Sequence, residues 1–323
     1  MTLSKLARLA NVSVSVVSKA FAGKEGVSEA MREHVFAVAK EHGCFEQFYH
    51  VPYDKPVIAV IIPEAISVYY IHYIEILKKS MEAHGYTMLL SISNFDPEMA
   101  EELVRYYTEH SNVNGIVFFG DIPNIKKQNG IAVVTVNDNA MGNIGTTVIY
   151  DLTSGLIEAI RQLKALGHRR IAYVGEPLTP LKLTVMTDIM KSEDMDIFPE
   201  LMICSLHRFE EAGRDGASRL LALQSVPTAI FGSYGYITRG IISELESRGI
   251  SIPNDISVIS MDNDPSQIHP HLSVSHIPSG TEKVCDRIMY ALQKQITEKT
   301  FNADAIYVES DFYLGNTVSV AKL

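Results

Sequence analysis

Val14, Ser15, Ser18 and Lys19 recur at the spacing that puts side chains on one face of a helix. Two hydroxyls, a short branched apolar tip and a cation suit base edges and phosphate. Val can touch a thymine methyl, Ser can donate or accept, and Lys can meet phosphate or guanine. A core helix would carry Leu at such places. Val17 and Phe21, with Ala20 beside them, fall on the opposite side and supply an inward face. The same pattern also suits a small helical bundle with a solvated face, so a DNA-reading helix is one of two readings at this level.

Three short helices would have to position these residues. Thr2 can cap the first, with Leu3, Leu6, Ala7 and Ala10 on one face. Asn11 tolerates the left-handed turn that follows. Ser13 caps a second helix from Val14 to about Ala22, stopped by Gly23, and Ser28 caps a third from Glu29 to His42, ended by Gly43. The apolar face of the third is Val35, Val38 and Ala39, with Met31 one turn earlier. Two helices joined by a tight turn and braced by a third make a helix-turn-helix.

The texture changes from Pro56 onward. Residues 44–56 contain Pro52 and Pro56 and read as an irregular connection. VIAVIIP (57–63) is a continuous apolar, β-branched run of the kind buried in a parallel sheet. A helix over 70–84, the strand YTMLLSIS, a helix over 97–110, then GIVFFG and IAVVTVN follow. The alternation restarts with a helix over 153–166 and the strands RRIAYVG, LMICS, TAIFGS and DISVISMD, with helices over 209–223 and 236–248 between them. This predicts two doubly wound α/β lobes, with a ligand cleft at the strand C-termini.

The chain has 323 residues, 46% of them hydrophobic and 20% charged, enough for two or three domains with a large core. The net charge of −10 is uneven: residues 1–50 sum to +1 and the remainder to −11. Any DNA contact is therefore confined to the first segment, because the acidic remainder repels a polyanion. No apolar run approaches the roughly 18 residues that span a bilayer, so no membrane partner is expected. Cys44, Cys204 and Cys285 lie far apart, which fits a reduced, cytoplasmic setting. No GxGxxG, P-loop, HExxH or GxSxG occurs, and no nucleophile–base pair stands out. His269 and His271 are close but sit in a Pro-containing stretch that reads as surface. The expectation is a protein that is not an enzyme and uses no cofactor or metal.

Four stretches resemble the lactose-repressor (LacI/GalR) family of transcription regulators. LSKLARLANVSVSVVSKAFAGKEGVSEAMREHVFAVAKEHG is similar to the family headpiece, with its VSxxTVSR helix and VS-capped helix downstream. ALGHRRIAYVGE resembles the family's LGHRRIA segment, RGISIPNDISVISMDN its GxxVPxDVSVVGFDD segment, and HPHLSVSHIP its PPLTTV crossover. The implied fold class is α/β: a three-helix helix-turn-helix headpiece plus a two-lobed, periplasmic-binding-protein-like body with parallel sheets. The boundaries read as headpiece 1–46, linker 47–56 and body 57–323. Lobe one takes about 57–149 and 278–304, lobe two about 150–277 and 305–323.

The resemblance implies a homodimer on a near-palindromic double-stranded DNA operator, modulated by a small, sugar-like effector between the lobes. It implies DNA contacts from Thr2, Ser13, Val14, Ser15, Ser18, Lys19, Ala22 and Ser28. Lys19 stands where the family has Arg, keeping the charge but losing the bidentate fork. Effector contacts are implied for Tyr69, Tyr70, Asn137, Lys182, Tyr234 and Asp262, whereas Asp151 is expected to cap the helix from Thr153. The linker CFEQFYHVPYDKP lacks the family's Ala-Arg-x-Leu hinge helix, and Pro52 would interrupt a helix there. Phe45, Phe48 and Tyr49 are expected to pack on the body, with a substitute minor-groove wedge as the alternative. Several polar clamps of the family are replaced, as at Val185-Met186 and Tyr234-Gly235. Two readings stand: an effector with more aromatic and fewer charged contacts, or a body that has kept only dimerisation. A ligand-sensing protein whose headpiece no longer recognises DNA is the competing function.

Overall fold

A computed structural model describes residues 1–49, 55–120, 130–137, 145–263, 271–301 and 303–322, save the side chains of Asp262 and Asn263. The chain forms two units, Met1–Pro56 and Val57–Leu323.

The first unit holds α1 (Leu3–Leu9), α2 (Val14–Phe21), α3 (Glu29–Glu41) and a single turn, α4 (Phe45–Phe48). Hydroxyl caps start the first three. Thr2 accepts from the amide of Lys5, Ser13 from Val16 and Ser28 from Met31, at 3.2–3.3 Å. Left-handed residues end them: Asn11 at φ 51° and Gly23 at φ 65°. Leu6, Val17, Ala20, Phe21, Val35 and Ala39 form the core, but Met31 is exposed and leaves the face expected for α3. Phe36 packs against that core, with its ring 5.0 Å from that of Phe21.

The stretch 44–56 is not irregular throughout. Phe45, Phe48 and Tyr49 have the i, i+3, i+4 spacing of one helical face, and they pack on the headpiece core rather than on the body. Phe45 and Phe48 stand 5.9 and 5.7 Å from Phe21, and Phe45 stacks on Tyr49 at 4.4 Å. The headpiece thus runs beyond residue 46. His50 to Asp54, Pro52 among them, lie outside the described residues.

The second unit holds two parallel sheets. β1 (Val57–Ile62), β2 (Thr87–Ile92), β3 (Gly115–Phe119), β4 (Ala132–Asn137), β5 (Thr146–Asp151) and β11 (Asp304–Glu309) make the first, in the order β11-β5-β4-β3-β1-β2. β6 (Ile171–Gly175), β7 (Met202–Cys204), β8 (Ala229–Gly232), β9 (Ser257–Asn263) and β10 (Ser275–Pro278) make the second, in the order β10-β9-β8-β6-β7. Each sheet therefore reverses direction beside its first strand, at β1/β3 and at β6/β8. Ligands gather at such a switch point.

Helices cover both faces of each sheet, which is why the strands read as unbroken apolar runs. α5 (Val68–Ala83) and α11 (Thr281–Glu298) cover one face of the first sheet and α6 (Pro97–Arg105) the other. α7 (Thr153–Ala165) and α8 (Pro180–Ser192) cover one face of the second, and α9 (Phe209–Leu221) and α10 (Gly235–Ser247) the other. The helix read over 97–110 ends at Arg105 and continues as a wider π-type turn over Tyr106–His110. Asp151 Oδ1 accepts from the amide of Thr153 at 2.9 Å, the local capping role expected of it.

The lobe boundaries differ from expectation at the last crossover. β11 pairs with β5 from Asp304 to Glu309, so this segment completes the first sheet instead of joining lobe two. The chain then returns, and Thr317 and Ser319 bond to β9 residues of lobe two. Asp304, Tyr307 and Glu309 of β11 are exposed, as fits a strand at a sheet edge.

His168, from the LGHRR segment, ties this returning segment down. Its ring is 1% exposed, Nε2 donates to the Ser319 carbonyl at 2.9 Å, and Nδ1 meets the Thr228 hydroxyl at 2.9 Å. Burial pushes its pKa below the ordinary histidine value, against a smaller opposing effect from the Ser319 carbonyl. The unfolded chain therefore binds this proton more readily. The stabilisation is complete above about pH 6.5 and is lost as pH falls toward the depressed folded value. Urea unfolding of the body should show stability falling between about pH 7.5 and 5.5. His168→Gln should flatten that slope, and an unchanged slope in the variant would remove His168 as its source.

Candidate functional site

The reading face is α2. Val17, Ala20 and Phe21 are buried, while Val14, Ser15, Ser18 and Lys19 are all exposed; Val14 remains 43% accessible. Thr2, Ser13, Ala22 and Ser28 are exposed too. The hydroxyls of Ser13 and Ser28 sit at the positive ends of α2 and α3, where backbone amides favour an anion. Ala22 caps the C-terminus of α2. The eight positions implied for DNA contact thus share solvent exposure, and four of them line one helix face.

Arg32 counts toward the positive charge of this segment, yet its guanidinium is spent internally. Its Nη1 donates to the Ala20 carbonyl at 2.9 Å, closing the C-terminal end of α2. His34 Nε2 does the same for the Ala10 carbonyl at 3.0 Å. Lys5, Arg8, Lys19 and Lys24 are exposed. Lys19→Ala should therefore weaken duplex binding and reduce the slope of log affinity against log salt by about one. Fluorescence anisotropy over a salt series reads both. Unchanged affinity and slope would remove Lys19 from the DNA-facing set.

The second site is a cleft of about 520 Å³ between the two lobes. It opens at the C-terminal ends of the strands flanking both switch points: Glu64 follows β1, Gly120 follows β3, Glu176 follows β6 and Tyr234 follows β8. Tyr69, Tyr70, Asn137, Lys182 and Tyr234, all implied for effector contact, line it. Tyr69 and Tyr70 meet edge to face at 5.0 Å, and Tyr70 meets Phe119 the same way at 6.1 Å. Lys182 Nζ donates to the Ser233 carbonyl at 3.2 Å. The Tyr234 hydroxyl is buried, and burial followed by the charge of Glu176 pushes its pKa well above the ordinary tyrosine value. The backbone of Asp262 belongs to β9, and its side chain lies outside the described residues.

The structure adds residues that no motif indicated. Glu64 and Glu176 are 6% and 2% exposed. Arg208 crosses from lobe two and pairs with both oxygens of Glu64, at 2.9 and 3.2 Å. Its Nε lies 3.6 Å from Glu176 Oε1, too far for a hydrogen bond. The rings of Phe209 and Phe95 flank the guanidinium, at 4.4 and 5.7 Å. Both phenylalanines hold left-handed backbone, at φ 57° and 56°, which costs a bulky residue about 1–2 kcal/mol. Tyr236 makes a second contact between lobes: its hydroxyl accepts from the amide of Val68 at 3.3 Å. A signal existed for the two glutamates, since each follows an apolar strand run at its C-terminal end. None existed for Arg208 and Phe209, which cap and open α9 after its connection from β7.

Among the described residues no group of three His, Cys, Asp or Glu side chains is arranged to hold a metal ion. No described helix is long and apolar enough to cross a membrane.

Residues 2–44 match the model of bacterial regulatory proteins of the lacI family, and residues 160–314 match a periplasmic binding protein-like domain. The HTH-type transcriptional repressor CytR of Escherichia coli (strain K12) is 25% identical over 278 residues, covering 81% of this chain and 80% of the relative. The lac repressor dimer bound to operator and the anti-inducer ONPF shares the fold with a TM-score of 0.72 at 16% identity, over 99% of both chains. A complex of the transcriptional regulator CelR with cellobiose gives a TM-score of 0.68 at 20% identity, over 98% of this chain and 99% of that one.

Proposed function

We propose that this chain, a DNA-binding transcription regulator of the lacI family, represses a metabolic, carbohydrate-related operon under the control of a small molecule held between its lobes. The observation that carries this reading is the exposed row Val14, Ser15, Ser18 and Lys19 on a helix whose opposite side is wholly buried. One headpiece offers few base contacts, so a homodimer would present two to a near-palindromic operator and raise the effective concentration of the second. The lac repressor's solved form as a dimer on its operator supports that assembly.

Ser15, Ser18 and Lys19 are assigned to base and phosphate contacts, Val14 to a thymine methyl, and Thr2, Ser13, Ala22 and Ser28 to the flanking backbone. Phe45 and Phe48 pack against Phe21 and are not free to wedge into the minor groove. Operator recognition is then expected without the kink such a wedge produces.

In the cleft, Tyr69 and Tyr70 supply ring faces, and Asn137, Lys182, Tyr234 and Asp262 supply polar contacts to a small effector. The cellobiose carried by CelR supports a small ligand held in a cleft of this fold. An effector that prefers one lobe arrangement shifts the population competent for DNA. The cleft is read as a binding site rather than a place of turnover, which the regulator relatives support. Such a protein acts beside the chromosome, in the cytoplasm.

The test is selection of duplexes from a random pool by the full-length protein at low ionic strength. A near-palindromic consensus should emerge, with affinity that falls steeply with salt. Addition of metabolites should then alter that affinity. Absence of any enriched sequence would sink the operator reading.

A further inference from the structure

Arg208 stands in the cleft much as a ligand would. Its planar cation donates two hydrogen bonds to one carboxylate, is approached by a second and is flanked by two aromatic rings. Each of these features favours a cation: bidentate carboxylate geometry, ring quadrupoles and buried negative charge. The rings come from Phe95 and Phe209, both in backbone that phenylalanine rarely adopts, so the flanking arrangement is maintained against local preference.

The fit is also incomplete. Arg208 Nε is buried without a hydrogen-bond partner. Two carboxylates, Glu64 and Glu176, face one guanidinium here. The other cations lining the cleft are engaged elsewhere: Lys182 donates to the Ser233 carbonyl and Arg239 pairs with Glu210. The Arg208 side chain is 37% exposed, so its charge can return to water by a swing of the side chain alone.

From this we infer that the cleft takes a cationic effector of the guanidinium, amidinium or amine class, which displaces Arg208 from Glu64 and so unties a bond between the lobes. The inference rests on the cleft being the effector site and names the chemistry of its ligand. Arg208 is then an internal competitor. Part of the ligand's binding energy is used to expel it, which lowers apparent affinity and links occupancy to lobe opening. The other contact between the lobes, from the Val68 amide to the Tyr236 hydroxyl, does not involve Arg208.

The experiment is calorimetric titration of the full-length protein with benzamidine and agmatine, using benzamide and benzoate as neutral and anionic controls. Both cations should bind and both controls should not. Arg208→Ala should tighten cation binding about tenfold by removing the competitor. Glu64→Gln should weaken it about tenfold or more by removing the partner. Should Arg208→Ala fold poorly, Arg208→Gln serves in its place. In the unaltered protein, cation binding should also shift and speed the solvent exchange of the Arg208 Nε–H signal in ¹⁵N spectra.

Weaker or unchanged cation binding by the Arg208 variants overturns the inference, as does binding of benzoate or of neither cation. Release of a selected operator by a neutral sugar, without any cation binding, would overturn it and leave the regulator reading standing. Failure of duplex selection with cation binding intact would do the reverse.

Discussion

Phe21→Ala is expected to unfold the reading head and abolish operator binding while the body keeps its fold. Phe21 is 8% exposed and meets the rings of Phe36, Phe45 and Phe48 within 5.0–5.9 Å. Truncating a buried phenylalanine costs about 3–5 kcal/mol, and a core this small supplies only about 3–5 kcal/mol in total. One substitution thus removes most of the stability of the first unit. It also removes the inward anchor that turns Ser18 and Lys19 outward, because all three share α2. Amide spectra of the full-length protein should lose the dispersed headpiece signals, operator affinity should fall to the non-specific level, and the main thermal transition should stay in place. Retained operator affinity would mean that α2 is not held as described.

The second large effect is expected from Gly240→Ala. α9 and α10 cross so closely that a Cβ on Gly240 would lie 2.1 Å from the Glu210 carbonyl oxygen. A Cβ on Gly213 would lie 2.1 Å from the Ile237 carbonyl oxygen, so the approach is tight from both helices. The obstacle is backbone on each side and cannot be relieved by a rotamer change. Overpacking of this kind costs about 1–3 kcal/mol, and more where backbone must move. That corresponds to about 2–4 °C of melting temperature for each kcal/mol in a body of this size. The consequence reaches the cleft, because α10 also carries Tyr236 and Arg239. Parting the helices would pull Tyr236 from Val68, so effector affinity should drop with stability. Thermal unfolding and ligand titration on the same sample measure both. A variant as stable as the parent would show that the two helices can separate freely.

How far the chain could be read in advance depends on the range of the interaction concerned. The caps at Thr2, Ser13 and Ser28 bond to amides three residues away, so short-range spacing was enough to place α1, α2 and α3. The two faces of α2 followed from periodicity, and the strand runs from their unbroken apolar character. Met31 has the helical spacing of a core residue yet stands in solvent, while Phe36 packs beside Phe21. The turn at Phe45–Phe48 was visible as a spacing, but the partner it would pack on was not.

The cleft divides in the same way. Tyr69, Tyr70, Asn137, Lys182 and Tyr234 were implied by the family resemblance alone, and they line the cavity. Arg208 and Glu64 are 144 positions apart, and no local pattern joins them. They meet because both sheets wind in the same order and bring two switch points face to face.

The capped helices, the outward row on α2, the apolar strands and the alternation that makes two lobes follow from the order of residues alone. These depend on hydrogen bonds and hydrophobic periodicity among near neighbours. Only in the packed molecule does β11 close the first sheet, the aromatic turn join the headpiece, and a guanidinium link the lobes at Glu64. Those outcomes depend on which distant surfaces exclude water together, a property of the packed chain that no short stretch contains.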